Sequence, residues 1–193
     1  MARPKEFDPD AVLDRALALF WERGYEATSV ADLVERLGVG RASLYATFGD
    51  KHALYLRALD RYVATRDLGP IALLSQPGPA IDAVRAVVRS YADLAASDRR
   101  RRGCFVVNTA TERLPGDRAA ARRVESRWDA LEAALTEALR RAQAEGDLPP
   151  ERDPRRTARF LLVLLQGIQV LARSGSSAAR VRDAAEEALA ALG

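Results

Sequence analysis

Six apolar residues in the second half of the chain constrain its fold more than any other feature. Val124, Trp128, Leu131, Leu135, Ala138 and Ala142 alternate steps of four and three, so they share one face of a long amphipathic helix from about Arg118 to Ala144. The same period recurs along most of the sequence. Asp8-Pro9 reads as an N-cap with Pro at the first helical position; Leu13, Ala16, Leu17 and Phe20 form one face, and Gly24 stops the helix. Thr28 or Ser29 caps the next helix, with Asp32 three residues after Ser29, and Val30, Leu33, Val34 and Leu37 follow before Gly38. A short third segment spans about Gly40 to Thr47, and a fourth helix starts at Lys51. Beyond the breakers Leu68-Gly69-Pro70 and Gln76-Pro77-Gly78-Pro79, a fifth helix carries Ile81, Val84, Val88, Tyr91 and Ala95. Cys104 to about Thr111 is apolar enough for a strand, but it has no partner strand and reads as a sixth, short helix. Asp153-Pro154 opens a helix that is apolar on nearly every side from Phe160 to Leu171, and Val181, Ala185, Ala188 and Leu192 mark the last. The expectation is an all-α chain of about nine helices.

Charge does not identify a partner. Of the 30 basic residues in the 193-residue chain only Lys5 and Lys51 are lysines, and the net charge is only +3. Residues 1–62 hold nine Lys+Arg against ten Asp+Glu, so the basic excess lies in the remainder. The lone Cys104 forbids an internal disulfide. The longest apolar run without a charge, Phe160 to Ala172, falls short of the roughly 20 residues of a bilayer span. These features lead to the expectation of a cytoplasmic protein. Enzyme motifs are missing: there is no phosphate loop, no HExxH and no nucleophile elbow, and Gly38-Val-Gly40 follows a helix rather than a strand. With one His, His52, and one Cys distant from it, no metal site or cofactor is expected.

The chemistry concentrates in Thr28–Tyr45. A helix with a clean apolar face, a turn on Gly38 and a short helix with small, polar exposed residues make a helix-turn-helix. A sharp turn between crossed helices favours positive φ, hence glycine. Val39 and Leu44 would anchor the third helix. That leaves Gly40, Arg41, Ala42 and Ser43 at its exposed N-terminal end, where base edges are read and Arg41 can offer a fork to guanine.

Ala18-Leu-Phe20, Arg23-Gly-Tyr25, Thr28-Ser-Val-Ala-Asp-Leu33, Leu37-Gly-Val39, Ser43-Leu-Tyr45, Phe48-Gly-Asp-Lys51 and Leu54-Tyr55 occur in the order found in the TetR/AcrR family of transcriptional regulators, which the chain resembles from Phe7 to about Tyr62. Gly103-Cys-Phe-Val-Val-Asn108 resembles a later element of one branch. The resemblance implies a DNA-binding domain over residues 1–50, a connecting helix over 51–66, and a ligand-binding and dimerisation domain over 67–193. It implies DNA contacts from Thr28, Arg41, Ser43, Tyr45 and Lys51, with the Thr28, Tyr45 and Lys51 polar groups suited to phosphates. Amides at the start of the fourth helix would assist Lys51. Many members carry His or Tyr where this chain has Ala46 and Thr47, so a ring contact is lost there, although Thr47 stays in the DNA-facing set. Arg3 and Lys5 form a short basic arm.

A repressor released from a palindromic operator by an unidentified small molecule is the reading that follows. Candidate ligand contacts are Tyr91, Phe105, Asn108, Trp128, Gln166 and Gln169, the last two and Asn108 because polar groups on apolar helix faces need partners. Cys104, at a helix start beside arginines, offers an alternative as a redox or electrophile sensor. The Arg99–Arg102 run reads as a solvated loop. Phe160, Leu161, Leu164, Leu165, Ile168 and Leu171, with Val181, Ala185, Ala188 and Leu192, are expected to build a four-helix homodimer interface.

Overall fold

Capping chemistry sets where each helix begins. In the computed structural model, which describes residues 7–66, 69–98, 100–175 and 178–192, every described element is helical. The Asp8 carboxylate accepts from the Asp10 amide and starts α1 (Pro9–Arg23). Ser29, not Thr28, caps α2 (Val30–Leu37), in a capping box with Asp32. Gly38 closes α2 in the left-handed region at φ 66°, the conformation the turn into α3 (Arg41–Phe48) requires. Then follow α4 (Lys51–Arg66), α5 (Gly69–Leu74), α6 (Ala80–Ser97), α7 (Phe105–Arg113), α8 (Arg118–Glu145), α9 (Pro154–Ser174) and α10 (Ala178–Ala190). All nine helices read from the sequence are there. The six-residue α5 is added where Gly69-Pro70 read only as a break, because Pro is tolerated in the first helical turn. The basic arm at Arg3 and Lys5, Leu68 and Arg99 lie outside the described residues.

Two cores form. The larger joins α6, α8, α9 and α10 through Val84, Val88, Leu135, Leu139, Leu161 and Leu165. The smaller joins α1 to α4 through Phe20, Leu33, Leu44, Leu54 and Tyr55, and it includes Phe105, Val106 and Val124 from α7 and α8. The reading head therefore does not close its core with its own helices.

Tyr55 is the centre of that second core. It is fully buried, with Phe20, Tyr25 and Phe105 packed edge-on at centroid separations of 5.1, 5.0 and 5.4 Å. Its hydroxyl lies 2.8 Å from Thr109 Oγ1, which also donates to the Phe105 carbonyl. Burial pushes the phenol pKa up to about 12, so it stays neutral at physiological pH. Tyr55→Phe is expected to cost about 1 kcal/mol, the net value of one hydrogen bond. Tyr55→Ala is expected to cost roughly 3–5 kcal/mol through the cavity it leaves. Urea unfolding of the full chain measures both, and equal costs would contradict the ring packing described.

Candidate nucleic-acid interface and effector cavity

The exposed face of α3 is fixed by what it buries. Leu44 and Phe48 insert into the core, which turns Gly40, Arg41, Ala42, Tyr45 and Ala46 outward and leaves Ser43 and Thr47 half-buried. Gly40 is the N-cap and supplies no side-chain hydrogen bond, so the first-turn amides of α3 keep an uncapped, exposed end. Lys51 opens α4 with its ammonium 4.1 Å from the Tyr25 ring centroid. Asp50 caps α4 by accepting from the Ala53 amide at 2.7 Å. One of the amides expected to assist Lys51 is thus occupied by a carboxylate.

Thr28 leaves the DNA-contact set. Its side chain is fully buried and its hydroxyl donates to the Gly24 carbonyl at 2.6 Å, holding the α1–α2 loop closed. Ser29 takes the exposed position at the start of α2.

A polar clasp behind this face ties it to the C-terminal helices. The Glu112 carboxylate accepts from the Tyr25 and Glu26 amides at 3.0 and 2.9 Å. Arg113 lies 4.1 Å over the Tyr25 ring and pairs with Glu26 and with Asp117, whose Oδ2 is 3.3 Å away. Asp117 caps α8 through the Ala119 and Ala120 amides and stands 2.7 Å from His52 Nε2. Burial alone would raise the Asp117 pKa. The Ala120 amide, His52 and Arg113 outweigh it and hold the carboxyl below its usual value.

A cavity of about 370 Å³ opens between the two cores. Trp21 of α1, Tyr62 and Arg66 of α4, Tyr91 and Leu94 of α6, then Asp98, Arg102, Gly103 and Cys104, and Gln169 of α9 line it. Trp21 Nε1 donates to the Gly103 carbonyl at 3.0 Å. Gly103 has φ 59°, and a Cβ there would stand 3.1 Å from the Gln169 carbonyl oxygen, so the loop needs glycine on both counts. Of the ligand contacts read from the sequence, Tyr91 and Gln169 are in this wall. Four are not. Phe105 is sealed among the rings of Tyr55 and Tyr62. The Asn108 amide donates to the Arg102 carbonyl at 2.8 Å, and Trp128 Nε1 donates to Gln166 Oε1 at 3.2 Å, so these three polar groups find partners inside the protein. The cavity residues missed, Trp21, Tyr62, Arg66 and Arg102, come from segments far apart in sequence. Arg102 is also not the solvated loop residue expected, because its guanidinium lies 4.1 Å over the Trp21 ring.

The expected dimer face is corrected in detail. Leu161, Leu165, Ile168, Val181, Ala185, Ala188 and Leu192 are buried within the chain's own larger core. They serve its packing and leave nothing for a partner to cover. Leu164 and Leu171 are half-buried against the same core. The outward stripe of α9 is Phe160, Val163, Gly167 and Val170, with Phe160 50%, Val163 72% and Val170 45% exposed. Only Phe160 belongs to the set read from the sequence.

An uncapped recognition helix held by a glycine turn, on a trihelical head mounted on a helical body, defines a helix-turn-helix transcriptional regulator rather than an enzyme. The comparisons with known proteins give the family. Residues 12–58 match the tetR family of bacterial regulatory proteins and residues 80–190 the tetracyclin repressor-like C-terminal domain. The HTH-type transcriptional repressor ComR of Escherichia coli is 38% identical over 91% of this chain and 84% of its own length. The HTH-type regulator YezE of Bacillus subtilis is 34% identical over 100% of both. The solved structure of a cysteine variant of the TetR family regulator CifR, complexed with 26-bp operator DNA, superposes with a TM-score of 0.86 at 32% identity, covering 99% of this chain and 100% of that one. The chain belongs to the TetR family. Among the described residues no helix is long and apolar enough to cross a membrane, and no His/Cys/Asp/Glu cluster suits a metal ion.

The clasp makes a pH-dependent contribution to stability. Because the folded-state pKa of Asp117 is depressed, its contribution is present above the ordinary carboxylate range and is lost as pH falls through the folded value, below 3.8. Asp117→Ala is expected to cost roughly 2 kcal/mol at pH 7, through the lost cap and the unpaired Arg113. Denaturation of both proteins between pH 7 and pH 3 should show the difference narrowing only at the acid end; a gap constant to pH 3 would contradict the assignment.

Proposed function

We propose that the chain is a homodimeric repressor that binds a palindromic operator and is released when a small molecule enters the cavity beneath the Asp98–Cys104 loop. The observation that carries this reading is the position of the cavity. It is walled by α1 and α4 of the reading head on one side and by α6 and α9 of the body on the other, so whatever fills it acts on both. Gly40, Arg41, Ala42 and Ser43 meet base edges, Tyr45, Thr47 and Lys51 meet phosphates, and the action is in the cytoplasm, where the DNA is. The two relatives described as a repressor and as an operator-bound regulator support it.

The α9 stripe supports the dimer. Three large apolar side chains exposed along one helix face mark a surface that a partner covers. Two-fold symmetry then sets half-sites about one duplex turn apart, roughly 34–36 Å, or a multiple of it. A ligand that changes the tilt of α4 changes the spacing of the two heads, and a small change suffices because both half-sites must be held together.

A second reading is favoured by Cys104, whose thiol shares the cavity wall. An α,β-unsaturated carbonyl compound entering there would be attacked at its β-carbon by the thiolate: the carbon–sulfur bond forms as the C=C π bond breaks, the α-carbon takes a proton from water, and release becomes covalent.

With DNA from upstream of the chain's own gene, specific binding at moderate salt is expected, and its absence overturns the reading. Arg41→Ala with Tyr45→Ala should abolish that binding while a dimer remains, Arg41 alone costing about 1–3 kcal/mol. Val163→Glu should instead yield monomers by sedimentation and weaken operator binding. A Val163→Glu dimer of undiminished affinity would remove the α9 stripe from the interface.

A further inference from the structure

We propose that the cavity takes an organic anion, a carboxylate carried on a flat apolar body. The proposal rests on the effector-responsive reading above and names the chemical class of the effector. Four large side chains supply the walls: Trp21, Tyr62, Tyr91 and Leu94. Tyr62 and Tyr91 are nearly covered by the protein, whereas Leu94 is 61% exposed, so the apolar surface runs from the interior to the mouth. At about 370 Å³ the space is at the small end for ligand sites and suits one or two fused rings.

The charge around those walls is net positive among the described lining residues. Arg66 and Arg102 line the cavity, and Asp98 is the carboxylate among the described lining residues. Asp98 is already committed: Oδ2 accepts from the Arg102 and Gly103 amides at 2.6 and 2.9 Å, and Oδ1 from the Arg100 amide at 3.2 Å. It folds the loop and offsets one arginine, which leaves the described charged lining with a net positive charge. Arg102 Nε is buried and has no hydrogen-bond partner among the described residues. The rest of its guanidinium lines the cavity, and a carboxylate meets guanidinium N–H donors with charge-assisted hydrogen bonds. Trp21 holds that guanidinium by its face at the cavity wall, where Arg102 keeps part of its surface exposed.

Helix polarity adds to this. Cys104, in the cavity wall, is the N-cap of α7 and gives no side-chain cap hydrogen bond. The start of α7 therefore lies in the same wall as the two arginines. A neutral ligand of the same shape gains the walls but leaves the Arg66 and Arg102 charges without a counter-charge from the ligand, and a cation is repelled by both.

Isothermal titration of the full-length protein with benzoate and 2-naphthoate, against benzamide and 2-naphthamide, tests the assignment. The carboxylates are expected to bind about tenfold more tightly than their amides or better. Arg102→Met should remove that preference while leaving amide binding, Arg102→Lys should retain part of it, and Cys104→Ser should leave it intact, which separates reversible anion binding from thiol chemistry. No preference with either ring system, or a preference that survives Arg102→Met, overturns the proposal. Anisotropy of labelled upstream DNA in the same samples keeps the two readings apart. Operator binding without anion preference removes only the ligand assignment. Anion preference without any operator binding removes the repressor reading and leaves the site.

Discussion

The Glu112 carboxylate holds two backbone amides of the α1–α2 loop from a helix that belongs to the other half of the molecule. Most of the reading head's geometry depends on that grip. The loop it fixes sets the Tyr25 ring, which in turn has Lys51 on one contact and Arg113 on another. Just inside the same loop Thr28 gives its hydroxyl to Gly24, and Ser29 and Asp32 start α2. A charge-assisted bond from an ionised carboxylate to amides is among the stronger polar contacts available to a protein. Beneath it Tyr55 and Phe105 merge the cores of the two halves. The head is therefore oriented by contacts that it does not itself supply.

α7 runs between the two places that matter. Its first end is Cys104 in the cavity wall, and its last turn carries Glu112 and Arg113 on the reading head. Nine residues of helix are about 13 Å long and stiff on that scale. Phe105, Val106 and Val107 are buried, so the rod cannot shift alone without disturbing Tyr55 and Tyr62. The connecting helix α4 touches the cavity through Tyr62 and Arg66 and reaches the clasp through His52. In the proposed mechanism a filled cavity acts on the head through two packed elements rather than through a single hinge, and packed elements tend to have discrete arrangements.

The helix-turn-helix was legible because its signals are local. Ser29, Asp32, Gly38 and the period of α2 are each decided within a few residues, and the structure keeps every one. Thr28 misled because its residue type suits a phosphate equally well, and only folding shows that the Gly24 carbonyl claims the hydroxyl. Helix α9 misled for a different reason. Its sequence is apolar almost all round, so period alone separates polar from apolar but not one apolar stripe from another. The choice between Leu161, Leu165 and Ile168 inward and Phe160, Val163 and Val170 outward is made by α6, α8 and α10. The cavity was least legible of all. Trp21 and Gly103 meet across more than eighty positions, and nothing local to either announces the other.

The charge distribution gains meaning from this arrangement. The first 62 residues carry slightly more acid than base, and several of their arginines are spent internally: Arg61 on Asp14 as a two-point pair, Arg15 on the Leu37 carbonyl, Arg57 on the Thr47 carbonyl. What remains outward on α3 is Arg41, with Lys51 drawn over Tyr25. Non-specific attraction to a phosphate backbone scales with the number of charges that neutralise it, so a head of this kind holds random duplex weakly. Affinity then has to come from matched base edges and from two heads acting at once. The proposed dimer is therefore sensitive to head spacing, since losing one half-site leaves an interaction too weak to persist. In the proposed mechanism the sparse charge of the reading head and the cavity placed between head and body are two parts of the same control.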